Sequence, residues 1–125
     1  MELPEFFQLA EGYAIYRPVA RVTFDQVIEM AVMAVKFCRD QGIRRVLLDS
    51  RQLTGFGPPT TIQRFLLGER MAAAAQSKVI GVVVARQEMI DPNRFGVTVA
   101  RNRGWLNNVF SDEAEAVKWL MDEDK

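Results

Sequence analysis

Arg45-Val46-Leu47-Leu48-Asp49-Ser50-Arg51-Gln52-Leu53-Thr54-Gly55-Phe56-Gly57-Pro58-Pro59-Thr60-Thr61 is the stretch that decides the fold. Three consecutive apolar residues, Val46, Leu47 and Leu48, suit a strand covered on both faces, and such a strand belongs near the centre of a sheet. Residues 52–59 are too rich in glycine and proline for regular structure, and a helix is expected to start at Thr60 or Thr61 and run to Gln76. A second buried strand over residues 78–85 then carries Val79, Ile80, Val82, Val83 and Val84, with Gly81 marking a point of close packing.

The flanking segments extend this pattern in both directions. Residues 6–10 and 13–16 read as two antiparallel strands about Glu11-Gly12. Thr23-Phe24-Asp25-Gln26 is a capping box that opens a helix to about Asp40, stopped by Gly42. Downstream, Asp91-Pro92 reads as a cap followed by proline at the first helical position, for a helix reaching Arg103 and ending at Gly104. Residues 106–110 make a last strand. Ser111 or Asp112 then caps a helix that turns Ala116, Val117, Trp119 and Leu120 inward, ahead of the acidic tail Asp122-Glu123-Asp124. The order predicts one α/β domain over residues 1–125, a mixed sheet with a mostly parallel core, an antiparallel N-terminal edge and four helices.

Composition removes several classes of function. Lysine plus arginine equals aspartate plus glutamate at 16 each, so no net field draws the chain to nucleic acid or an anionic membrane. There is no histidine, which takes away the commonest general base, metal ligand and partner of a nucleophile. No catalytic set, metal site or cofactor is read from the residues. Cys38, the single cysteine, sits in an apolar helical pattern as a small hydrophobe. The acidic start Met-Glu-Leu-Pro-Glu and the lack of a long apolar stretch argue against a signal peptide and a membrane span, and a cytoplasmic location is expected by elimination.

In chain order, the strand ending Val46-Leu47-Leu48-Asp49, the loop Thr54-Gly55-Phe56-Gly57, the strand Lys78-Val79-Ile80-Gly81-Val82-Val83-Val84 and the ending Val109-Phe110-Ser111-Asp112 with Ala116-Val117-Lys118-Trp119-Leu120 together resemble a STAS-like domain. The likeness is to the diverged SpoIIAA-like group of bacterial anti-sigma-factor antagonists, related in fold to lipid-binding Sec14 domains. Signalling members carry an Asp-Ser-Ser/Thr-Gly motif whose serine accepts phosphate. Here Asp49-Ser50 is followed by Arg51, and Thr54-Gly55 is preceded by Gln52-Leu53. The resemblance therefore implies a non-enzymatic regulatory or protein-interaction module without the serine phospho-switch, forming a homodimer and binding a protein partner. Its Sec14 side implies the alternative, a carrier of a small apolar, lipid or anionic molecule.

Candidate residues cluster on the same loop. Ligands of open α/β sheets bind where loops leave the carboxyl ends of central strands, which singles out Asp49, Ser50, Arg51, Thr54, Gly55, Thr60 and Thr61. Thr60 and Thr61 either cap the helix or meet an anion at its first turn, and Arg86 and Arg94 are candidate anion contacts on neighbouring loops. On the first helix, Phe24, Val27, Ile28, Ala31, Ala34, Val35 and Cys38 form a core stripe, and Met30, Met33 and Phe37 a second stripe that serves as an interface or as further core. Glu69 falls on the apolar side of the second helix and calls for an arginine partner or a wetter edge. Arg101, Arg103 and Trp105 form a small basic and aromatic group that cations at a helix C-terminus already explain. An enzyme using Asp49, Glu69 or Glu88 with the arginines is the weakest of the three readings.

Overall fold

The hairpin that begins the chain turns at Gly12, whose φ of +89° lies in the left-handed region that glycine adopts without strain. In the computed structural model, which describes residues 1–122, it pairs β1 (Phe7–Ala10) with β2 (Tyr13–Tyr16) in antiparallel register. The other elements follow in order: β3 (Ala20–Arg21), α1 (Phe24–Asp40), β4 (Arg45–Asp49), β5 (Leu53–Thr54), α2 (Thr61–Ala75), β6 (Ile80–Val84), α3 (Phe95–Asn102), β7 (Asn107–Phe110) and α4 (Glu113–Asp122). Glu123 and Asp124 of the expected acidic tail lie outside the described residues.

The main sheet has the order β1-β2-β4-β6-β7, antiparallel only between β1 and β2 and parallel elsewhere. This is the expected mixed α/β sheet, with the two apolar runs β4 and β6 at its middle. Pleating sorts their side chains: Val46 and Leu48 join the core under α1, α2 and α3, whereas Leu47, Ile80, Val82 and Val84 pack with Ala116 and Leu120 of α4. Three helices thus cover one face and one helix the other.

Both long helices start on a reciprocal capping box. Thr23 Oγ1 accepts from the Gln26 amide at 3.2 Å while Gln26 Oε1 accepts from the Thr23 amide at 2.8 Å. Thr60 and Gln63 repeat the arrangement at 3.1 and 2.9 Å, so Thr60 is the cap and Thr61 the first helical residue. Each such box satisfies two backbone donors that a helix start otherwise leaves free. On α1 the buried stripe includes Val32, and Ala31 is only half-buried.

Three expectations are corrected. First, α3 starts at Phe95 rather than Pro92, because the Asp91 carboxylate accepts from the amides of both Asn93 and Phe95. Those bonds close a turn that leaves Arg94 at φ +51° before the helix begins. Second, the loop after β4 contains regular structure: β5 pairs in parallel with β3, placing Leu53 against Ala20 and Thr54 against Arg21. Third, Trp105 is 3% exposed and sets its benzo edge against Gly81, where a Cβ would stand 2.3 Å from the indole Cζ2. With Trp105 inside, that ring takes no part in a surface patch; Arg101 and Arg103 instead lie over the rings of Trp119 and Phe65. Arg101 donates to the Asn107 carbonyl at 2.9 Å, and Arg103 stands 3.8 Å from Glu69, whose side chain is 46% exposed. Glu69 therefore has both an arginine partner and a wet edge.

Candidate functional site

Asp49 ends β4 with its side chain on the α4 side of the sheet. Its carboxylate is 1% exposed and surrounded by donors: the Arg51 amide at 3.0 Å, Arg51 Nε and Nη2 at 2.9 Å each, and Arg17 Nη1. The same two guanidinium groups also hold Glu113, the first residue of α4, with Arg17 at 2.8 and 3.1 Å and Arg51 at 2.7 Å. Two cations and two anions thus close on one another. Burial pushes the Asp49 carboxyl up, but the hydrogen bonds and charge of Arg51, helped by the charge of Arg17, outweigh it and hold the group below the usual aspartate value. The hydrogen bonds that Arg17 donates to Glu113 lower the Glu113 carboxyl and raise Arg17 in turn. A carboxylate this firmly ionised, with its lone pairs already engaged, is unsuited to general acid or base work near neutral pH.

On the other side of the same strand end the protein leaves space. A cavity of about 170 Å³ runs beneath the loop over residues 49–61 and is walled by α1, α2, α3 and the sheet. Phe24, Val27, Met30 and Ala31 of α1 face it, as do Leu67, Gly68 and Met71 of α2, Leu48 and Val83 of the sheet, and Phe56 of the loop. Two glycines bring the helices of this wall together. A Cβ on Gly68 would meet the Gly96 carbonyl at 2.8 Å, and one on Gly96 the Arg64 carbonyl at 3.3 Å. Trp105 and Asn107 complete the buried wall, and the Trp105 Nε1 is the one buried side-chain nitrogen or oxygen without a hydrogen-bond partner among the described residues.

Arginines frame the cavity from three elements and also hold the backbone. Arg64 donates to the carbonyls of Pro59 and Met89 at 3.1 and 3.2 Å. Arg86 donates to those of Arg51 and Leu53 at 3.1 and 3.2 Å and pairs with Glu88. Arg94 donates to the Val109 carbonyl at 2.8 Å and to Asn108, over the ring of Phe110. Arg86 ties the loop after β4 to the end of β6, and Arg64 ties α2 to the turn at Met89.

The remaining sequence candidates separate. Ser50 fixes the strand end, its amide and hydroxyl both donating to the Val84 carbonyl at 2.9 and 3.2 Å. Thr54 accepts from the Val22 amide at 2.8 Å. Gly55, at φ +103°, sits where a Cβ would press within 2.5 Å of the Val22 carbonyl. The second stripe of α1 divides: Met30 faces the cavity, Phe37 packs its ring 5.0 Å from Phe7, and Met33 is 40% exposed. Cys38 is fully enclosed, and burial pushes its thiol up to about 12.

Sequence reasoning missed Arg17, Glu113 and Arg64. Arg17 and Glu113 lie 96 positions apart, a separation that no local motif bridges. A signal existed in the register alone: once Tyr16 pairs with Leu48, the next residue of each strand, Arg17 and Asp49, must be neighbours. Comparison of the chain with protein-family models, with curated proteins and with solved structures finds no match. No helix among the described residues is long and apolar enough to cross a membrane.

Proposed function

We propose that this chain is a non-catalytic binding module whose ligand is a small, mainly apolar molecule held in the cavity beneath the loop over residues 49–61. The observation that carries this reading is the cavity itself, at the carboxyl ends of β4 and β6, where open α/β sheets take their ligands. Its size narrows the carrier reading. Drug-sized ligands occupy about 300–1,000 Å³, whereas an apolar cavity of about 150 Å³ in another protein takes up benzene. At about 170 Å³ the cavity fits one substituted ring or a short chain and is too small for an intact diacyl lipid. The ionised, fully paired state of Asp49 and Glu113 supports binding rather than catalysis.

The test is a titration with α-methylstyrene, a single-ring hydrocarbon, followed by ligand-observed NMR. Saturable binding to the wild-type chain is expected, weakened at least tenfold in Ala31→Leu, whose larger side chain takes up the space. Absence of saturable binding would overturn the reading.

The regulatory role that the STAS-like resemblance implies is a second reading, and one observation favours it. Ile62 is 72% exposed and Leu66, one turn further on α2, is also exposed, so the helix that roofs the cavity presents an apolar pair to solvent. A homodimer or a protein partner docked there would sense the loop and α2 directly. Light scattering across a concentration series, with Ile62→Glu as control, decides the dimer: a monomer at every concentration removes it.

A further inference from the structure

We infer that the cavity's occupant carries a hydrogen-bond acceptor and that the indole N–H of Trp105 is the group that recognises it; this rests on the cavity being a ligand site. An indole N–H can only donate. Buried donors in folded proteins nearly always find a partner, because an unmade bond leaves the desolvation of the group uncompensated. Trp105 Nε1 is the single exception among the described side chains, and its residue forms part of the cavity wall.

The surroundings hold the ring and leave its donor unpaired. The benzo edge of the indole lies against Gly81, whose missing side chain is what makes room for the ring. Asn107, the neighbouring buried polar side chain, already donates to the carbonyls of Trp105 and Val97 at 2.9 and 3.4 Å. The N–H is shut off from bulk solvent and its residue lines the cavity, so a molecule that enters the cavity can bring it an acceptor. The ligand class that satisfies both size and chemistry is a single-ring molecule bearing a carbonyl, ether or ring-nitrogen acceptor.

Acetophenone and α-methylstyrene have nearly the same shape and differ in C=O against C=CH₂. Each is titrated into the full chain, wild type and Trp105→Phe, by ligand-observed NMR. The expected result is that Trp105→Phe weakens acetophenone by about threefold to tenfold, the range of one neutral hydrogen bond, and leaves α-methylstyrene within about twofold. Equal changes for both probes, or no change for either, overturn the acceptor assignment while the cavity reading stands. Failure of both probes to bind wild type takes down both. Should Trp105→Phe not fold, the wild-type indole N–H resonance decides: a downfield move with acetophenone and not with α-methylstyrene supports the inference, and equal behaviour overturns it.

Discussion

The two sides of the sheet at the end of β4 solve opposite problems with adjacent residues. On the α4 side, Arg17, Asp49, Arg51 and Glu113 satisfy one another through at least two contacts each. On the other, Leu48, Val83 and three helices surround a cavity of about 170 Å³ and an indole donor with no acceptor. The difference is one of packing: one side is knit by charge, the other left open. A network paired this closely holds the strand end, Arg51 and the first turn of α4 in place. An apolar wall without protein atoms against it forgoes dispersion contacts, which is the cost that the proposed ligand would offset.

The comparison is broken most severely by Asp49→Ala. It strands two guanidinium groups beside Glu113, and a loss of about 3 kcal/mol is expected, the lower end for breaking a buried ion pair because both arginines keep some water. Urea denaturation at neutral pH measures it. Acid does the same chemistry reversibly. The Asp49 and Glu113 carboxyls are both held below their ordinary values, so the stability they contribute is complete above the unfolded values of about 4 and is lost as pH falls through their lowered folded values. The denaturation midpoint should therefore hold steady from neutral pH to about 5 and drop below about 4, and Asp49→Ala should flatten that drop. An equally steep drop in the variant would mean that other carboxylates dominate.

On the cavity side the effects are smaller and of both signs. Gly81→Ala puts a methyl where the Trp105 ring lies and should cost about 2 kcal/mol by overpacking, with the indole N–H resonance displaced. Ala31→Leu should do the reverse, adding about 1 kcal/mol by filling space, while the same exchange at a close-packed alanine such as Ala34, wholly buried on α1, should destabilise. If both leucine variants destabilise alike, the cavity is not room that a side chain can use.

The architecture was largely legible because its signals are local. The apolar runs of β4 and β6, the Thr23/Gln26 box and the Gly-Pro punctuation before Thr60 act within a few residues, and each produced the expected element. Signals that depend on distant partners were not legible. The β3–β5 ladder is two residues long on each side and exists because chain segments meet, not because Ala20-Arg21 or Leu53-Thr54 favours extension. Asp91 reads as a helix cap, yet its carboxylate serves the turn before the helix. Trp105 looked superficial beside Arg101 and Arg103 because its burial depends on a glycine in another strand. At the site, Asp49 and the loop were found from topology, but the partners Arg17 and Glu113 and the cavity needed three dimensions.

The pleat of β4 also constrains how this chain can change in length. Leu48 faces the cavity side and Asp49 the charged side, so inserting or deleting one residue within the strand would exchange their directions, aiming the carboxylate at apolar walls and a leucine at Arg17. The tip of the following loop is free of that constraint, since a Cβ on Gly57 would meet nothing within 4 Å. Variation in length is thus expected at Gly57-Pro58 and excluded a few residues earlier. A library of single-residue insertions across residues 45–60, sorted for folded protein, would trace that boundary along the chain.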